Sequence, residues 1–321
     1  MNEVLTRISE IGIIPVIAIE DASKAVPLAK ALVAGGLPAA EVTFRTAAAE
    51  DAIRAIAREV PDMLLGAGTV LTADQADRAI AAGVSFIVAP GYDPKVTQHV
   101  LDKGCIMVPG TATPGEMQQA MNQGCDVLKF FPAEANGGVS MLKNIGAALK
   151  SAKWMCTGGV NTKNLMDYLS FDQITAVGGT WMVKKDLIGG EKWEEITAIS
   201  KDAVKTMLGF SLAHVGVNCG SPEEAAKVAK ALCALFDLEY KAGNSSDFAG
   251  KAVECMKKPD ARGTNGHIAI GTNSVDRAIY HLSRQGIEFI EESRVVDPKG
   301  KTKAIYIKGE IGGFAIHLMQ K

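Results

Sequence analysis

A carboxylate, a guanidinium and an amine occupy positions where a chain normally places apolar side chains. In Glu41-Val42-Thr43-Phe44-Arg45-Thr46, strand alternation puts Glu41, Thr43 and Arg45 on one face and Val42 and Phe44 on the other. Lys129 lies within Val127-Leu128-Lys129-Phe130-Phe131-Pro132. Burial disfavours an ammonium charge, and a neutral amine is what a Schiff-base nucleophile requires. A carboxylate within reach could then move protons. Plainer readings stay open: an internal Glu–Arg bridge without a chemical role, or a lysine that snorkels to the rim. Two glycine pairs, Thr157-Gly158-Gly159 and Gly178-Gly179-Thr180, end later apolar runs. Such pairs let backbone N–H groups approach an anion, although a tight turn explains either one alone. Gly66-Ala67-Gly68-Thr69 adds another glycine turn and a hydroxyl.

These residues fall in a repeating frame. Short apolar runs at 13–19, 40–44, 63–67, 86–89, 106–108, 127–131, 154–156 and 174–177 alternate with Ala-, Lys- and Glu-rich segments. Segments 21–34, 47–59 and 72–82 show helical spacing, with Asp21 and Thr72 as N-caps and Gly35 and Gly83 as stops. This rhythm predicts a (β/α)8 barrel over 1–208, with an open doubly wound sheet as the alternative. In a barrel the active site forms at the C-terminal strand ends. Strands two and six lie opposite, so Glu41 and Lys129 reach toward one centre.

After residue 208 the rhythm changes. His214-Val215-Gly216-Val217-Asn218 precedes a helix over about 222–235, and His267-Ile268-Ala269-Ile270-Gly271 precedes one over about 275–285. Strand-rich sequence follows each helix. The reading is a smaller α+β domain, 209–321, made of two βαβββ modules.

Composition limits the function classes. The chain has 321 residues, 47% apolar and 22% charged, with a net charge of -2. That is globular usage for about two domains, with no basic excess to attract nucleic acid. The longest runs free of charged residues, 79–92 and 206–222, fall short of the ~18 apolar residues that suggest a bilayer span. No secretory signal is expected from Met1-Asn2-Glu3-Val4. Six scattered cysteines without a C-x-x-C pair read as reduced thiols. A cytoplasmic protein without nucleic-acid or membrane partners is expected.

Together, Glu41–Thr46, Gly66-Ala67-Gly68-Thr69-Val70, Lys129-Phe130-Phe131-Pro132-Ala133-Glu134, Thr157-Gly158-Gly159 and Gly178-Gly179-Thr180-Trp181 resemble the KDPG/KHG aldolase family. Its members act on 2-keto-3-deoxy-6-phosphogluconate and 4-hydroxy-2-oxoglutarate. The resemblance implies a class I aldolase that needs no cofactor, takes a small 2-keto acid and assembles as a homo-oligomer, usually a trimer. It implies Lys129 as the Schiff-base lysine and Glu41 as general acid/base. Arg45 and Thr69 would hold the pyruvyl carboxylate. Pro90 and Phe131 would line the pocket, and Thr157, Gly158, Gly159, Gly178, Gly179 and Thr180 the phosphate site. Two positions depart from the family: Cys156 replaces a common proline and Thr180 a common serine. The competing readings are an aldolase for the 6-phospho-galactonate stereoisomer, or a phosphate-binding isomerase barrel with a metabolite-binding C-terminal half.

The His-led modules resemble the glyoxalase/bleomycin-resistance/dioxygenase superfamily. That resemblance implies a divalent metal on His214, Glu254, His267 and His317. The last position is commonly glutamate in the superfamily but stands here in Gly313-Phe314-Ala315-Ile316-His317-Leu318. A metal-free module used for packing is the alternative.

Overall fold

The computed structural model describes residues 2–258 and 261–321. It divides into two compact units, Met1–Met207 and Leu208–Lys321.

The first unit is a parallel barrel. Its strands are β1 (Ile13–Ile17), β2 (Ala39–Thr43), β3 (Leu64–Gly68), β4 (Phe86–Val88), β5 (Ile106–Val108), β6 (Gly110–Thr111), β7 (Leu128–Phe130), β8 (Trp154–Thr157) and β9 (Ile174–Gly179). They pair in the order β5-β4-β3-β2-β1-β9-β8-β7-β6. The expected fifth strand is β5 and β6, interrupted at Pro109, which has no N–H for a ladder. The Pro109 carbonyl still accepts from Lys129 N at 2.8 Å, and the ring closes there. Every residue of β1, β2, β3, β8 and β9 is buried. That is why these runs are short and continuously apolar instead of alternating with solvent-facing residues.

The helices cover the outside with stripes at helical spacing. In Ala73–Ala82, Ala76, Ala79 and Ala82 are buried, the Thr72 side chain accepts from Gln75 N, and Gly83 stops the helix in the left-handed region. In Pro114–Asn122, Thr113 and Glu116 form a capping box that satisfies N–H groups at the helix start. The helix expected over 21–34 is instead a 3-10 turn, Ala22–Lys24, followed by Ala25–Ala34. Gly35 caps it in a right-handed conformation, and the left-handed step falls on Gly36. A helix at Glu3–Ile11, outside the repeating frame, buries Leu5, Ile8 and Ile11. Each such side chain contributes about 1.5–3 kcal/mol.

In the second unit, β10 (Ser211–Asn218) is followed by the helix Pro222–Phe236 and then β11 (Tyr240–Ala242), β12 (Ser246–Ala249) and β13 (Val253–Met256). The same order recurs as β14 (Gly266–Thr272), the helix Val275–Ser283, β15 (Phe289–Val296), β16 (Thr302–Ile311) and β17 (Phe314–Gln320). The eight strands form one sheet, β11-β12-β13-β10-β14-β17-β16-β15. Each module places its first strand beside its last in parallel, and the two first strands meet antiparallel. Two βαβββ modules therefore share one sheet about the β10–β14 seam. Small side chains let the first helix lie close: Ala225 and Ala229 are fully buried with Ala249 and Cys255. All six cysteines are free thiols. Among the described residues, no helix is long and apolar enough to cross a membrane.

Candidate active site and candidate metal centre

Glu41 enters the barrel from the middle of β2, and Lys129 from the middle of β7. Lys129 Nζ donates to Glu41 Oε1 at 3.2 Å, with the side chains 6% and 0% exposed. The pair is desolvated, which makes its mutual attraction strong and its loss costly. The other carboxylate oxygen, Glu41 Oε2, is buried without a partner among the described residues. It is an acceptor in reserve beside an amine. The Lys129 Nζ also stands 5.2 Å from the Phe131 ring centroid, so an aromatic wall borders the amine.

Room for the carboxylate comes from Gly68 at the end of β3. A Cβ there would meet Glu41 Oε1 at 2.2 Å and Cγ at 2.6 Å. The next residue, Thr69, has φ 56, a left-handed conformation that costs a side-chain-bearing residue about 1–3 kcal/mol and clusters at functional sites. Pro90 follows β4. Arg45 follows β2, and its Nε donates to Thr43 Oγ1 at 3.1 Å. Thr157 ends β8 with its Oγ1 buried and unpartnered. Gly158 and Gly159 follow it, Gly178 and Gly179 end β9, and Thr180 comes next. All of these residues lie at the C-terminal ends of parallel strands, the end where barrels hold their ligands. Glu41, Lys129, Arg45, Thr69, Pro90, Phe131, Thr157 and the glycine pairs thus lie toward one side of the ring, as strand alternation predicts. Gly68, which lies under the carboxylate, was legible only as part of a glycine turn.

In the second unit, four ligand-type side chains stand on one face of the sheet. Across β13-β10-β14, Glu254, Gly216 and His267 are paired neighbours; across β10-β14-β17, so are His214, Ala269 and His317. Paired residues and those two apart share a face, so the two rows converge. Ligand atoms of His214, His267 and His317 lie within 4.8 Å of one another. Glu254 Oε2 lies 3.0 Å from His214 Nε2 and 3.1 Å from His267 Nε2. Ser246 Oγ donates to Glu254 Oε1 at 2.6 Å and orients the carboxylate. Burial pushes the Glu254 carboxyl up, but hydrogen bonds with His214, His267 and Ser246 outweigh it and hold the group below the usual carboxylate range. Burial, then the imidazoles of His267 and His214, push His317 down to about 4, which keeps it neutral. Its Nδ1 is buried without a partner.

Gly216 makes this crossing possible. A Cβ there would lie 2.0–2.5 Å from three atoms of the His267 ring. Two aromatic residues absent from the sequence expectations complete the surroundings. The Tyr306 ring lies 4.8 Å from that of His317, and the Phe248 ring 6.0 Å from that of His214. Tyr306 is paired opposite His317 and Phe248 opposite Glu254. Only the cross-strand register reveals this, and that register is a tertiary fact.

The family model for KDPG and KHG aldolase matches residues 4–199. A 2-dehydro-3-deoxy-phosphogluconate aldolase of Treponema pallidum is 40% identical over 205 residues, 64% of this chain and 98% of the relative. The KHG/KDPG aldolase of Escherichia coli K12 is 40% identical over 193 residues, 60% of this chain and 91% of the relative. Among solved structures, the KDPG aldolase of Legionella pneumophila with pyruvate held as a covalent carbinolamine aligns at TM-score 0.60. It shares 36% identity and covers 62% of this chain and 97% of that one. The barrel, its Lys129–Glu41 centre and these likenesses agree: the chain belongs to the KDPG and KHG aldolase family, and its barrel is a carbon–carbon lyase of the class I, Schiff-base kind.

Proposed function

We propose that the barrel cleaves 2-keto-3-deoxy-6-phosphogluconate to pyruvate and glyceraldehyde 3-phosphate, 4-hydroxy-2-oxoglutarate to pyruvate and glyoxylate, or both. The observation that carries this reading is the buried Lys129–Glu41 contact with Glu41 Oε2 free. The neutral Lys129 amine adds to the C2 ketone, and loss of water gives an iminium. Glu41 takes the proton of the C4 hydroxyl as the C3–C4 bond breaks. The aldehyde leaves, and the bonding electrons pass into the enamine. The protonated Glu41 returns its proton to C3, and water releases pyruvate and restores the amine. Arg45 and Thr69 hold the substrate carboxylate, and Pro90 and Phe131 wall the pocket. Thr157, Gly158, Gly159, Gly178, Gly179 and Thr180 take the distal end, a phosphate where there is one. Thr180 keeps the hydroxyl that serine would offer there and adds a methyl. Borohydride reduction with pyruvate, followed by peptide mass mapping, tests the chemistry. A pyruvyl adduct on Lys129 is expected, and a folded protein without one would overturn the mechanism. Cleavage assays on the gluconate- and galactonate-type 6-phospho acids then decide the stereoisomer.

The aldolase chemistry needs no cofactor in this reading. The second unit, Leu208–Lys321, is read as a glyoxalase-like module that holds a divalent metal on His214, Glu254, His267 and His317. Three imidazoles and a carboxylate suit zinc, nickel or iron. The unpartnered His317 Nδ1 and the neutral state of that ring fit a ligand role. A bound metal would supply Lewis acidity there; the chain's part is to orient the ligands, through Ser246 on Glu254 and through the glycine beneath His267. Elemental analysis of the full chain, with and without His267→Ala, tests the site. A cytoplasmic homotrimer is the expected assembly, and sedimentation of the full chain tests the oligomeric state.

A further inference from the structure

We propose that Thr43 is a positioning residue that aims the Arg45 guanidinium at the substrate carboxylate. The proposal rests on the reading of Arg45 as the carboxylate anchor. Thr43 is the last residue of β2 and is 1% exposed. A hydroxyl has one hydrogen, and Thr43 Oγ1 donates it to the Ile17 carbonyl on β1 at 2.8 Å. The oxygen can then only accept, and it accepts from Arg45 Nε at 3.1 Å. Among the described residues this is the only hydrogen bond of the Arg45 side chain, which is exposed and has no carboxylate partner among them. With Nε committed, the four N–H groups of Nη1 and Nη2 stay free in the planar fork that suits a carboxylate.

The turn that carries Arg45 is fastened on both sides. Thr46 Oγ1 donates to the Ile19 carbonyl at 2.5 Å, so two threonines tie residues 43–46 to the end of β1. An arginine free in solution explores many rotamers, and one held at Nε loses less freedom when it binds. The arrangement lowers the cost of binding without touching the reacting atoms. Its signature is therefore in KM more than in kcat.

The test is a cycle of Thr43→Val, Arg45→Ala and the double variant, with Thr43→Ser as the conservative control and kcat and KM measured for cleavage. Valine keeps the shape and removes the acceptor. Thr43→Val is expected to raise KM about tenfold, the effect of a hydrogen bond to a charged group, with kcat within about twofold. Serine should restore KM, and Thr43→Val should add nothing in the Arg45→Ala background. An unchanged KM in Thr43→Val beside a raised KM in Arg45→Ala overturns the proposal alone. An equal rise in both backgrounds also overturns it, because it shows a merely structural strand tie. An unchanged KM in Arg45→Ala overturns the anchor reading and the proposal together. If the valine variant does not fold, Thr43→Cys, which keeps the size and weakens the acceptor, is held to the same outcomes.

Discussion

In the barrel, Glu41 meets Lys129 inside a ring of parallel strands; in the second unit, four ligand-type groups stand in two rows on one face of an open sheet. The ring removes both partners from water, with side-chain exposures of 0% and 6%. The sheet leaves His214 and Glu254 at 12% and 14%. An enclosed pair suits a nucleophile that must lose its proton and a carboxylate that must move one. A face with several convergent acceptors suits an ion that brings its own charge. One construction device is common to both. A buried polar side chain lies over a glycine of the neighbouring strand, Glu41 over Gly68 and His267 over Gly216. In each case the absence of a Cβ makes the space, which is one meaning of a glycine inside a strand.

The largest effect expected separates the two centres by chemistry. Lys129→Ala should lower kcat by at least about a thousandfold, because it removes the amine proposed to form the imine. It should leave metal content unchanged, as elemental analysis of the purified variant would show. Glu41→Gln should slow turnover by about a hundredfold or more with a smaller change in KM. If Lys129→Ala keeps its turnover, the nucleophile lies elsewhere, and the enclosed pair is only a buried ion pair.

Next comes the glycine under the carboxylate. Gly68→Ala puts a methyl where Glu41 Oε1 lies, and the barrel leaves the carboxylate little room to retreat. Turnover should fall by about 10²-fold, approaching the loss of the general base itself. The melting temperature should change far less. A large loss of stability with normal residual kcat would show that Gly68 serves packing and not the position of Glu41.

Much of this construction was legible, and unevenly. Buried strands read as short apolar runs, so Lys129 and Glu41 stood out as charges in apolar company. Capping residues such as Thr72 and Gly83 announced themselves because their chemistry is local. Pro109 could have been read as a strand break from its missing N–H. The helix expected over 21–34 failed at its first turn, where the Asp21 side chain caps a 3-10 segment at Ser23. The histidine spacing located the modules, but it could not show that Glu254 and His267 flank Gly216. Register comes from pairing, and a slip of one residue would send each of these side chains to the opposite face. Gly68 and Gly216 were visible as glycines, but the side chain each one accommodates was not.

The pH response sharpens the contrast from the side of the open sheet. In the metal-free chain, His317 titrates near 4 instead of its ordinary 6.5. Between these values the unfolded chain binds a proton that the folded chain refuses, so acidification favours unfolding. The contribution is fully present above pH 6.5 and declines toward pH 4, by about 3 kcal/mol. Hydrogen exchange of peptides from 209–321 should report weaker protection at pH 5 than at pH 7.5, after correction for intrinsic exchange. His317→Gln should flatten that difference. An unchanged difference in the variant would assign the acid sensitivity to another group.

The last comparison is Gly216→Ala. Its Cβ would displace the His267 ring, whose Cε1 now lies 2.0 Å from that position. The ring cannot swing far without leaving Glu254, which it meets at 3.1 Å. Metal affinity should therefore fall by about 10–100-fold, the range seen when a group that orients a metal ligand is lost. Aldol cleavage should be untouched, since the barrel has its own centre. Calorimetric titration with zinc, beside a cleavage assay on the same preparation, measures both. Equal zinc affinity in the two proteins would mean that His267 is not a ligand, and the cluster would then be a hydrogen-bonded core. A parallel loss of cleavage would mean that the two units share a function that their separate construction does not suggest.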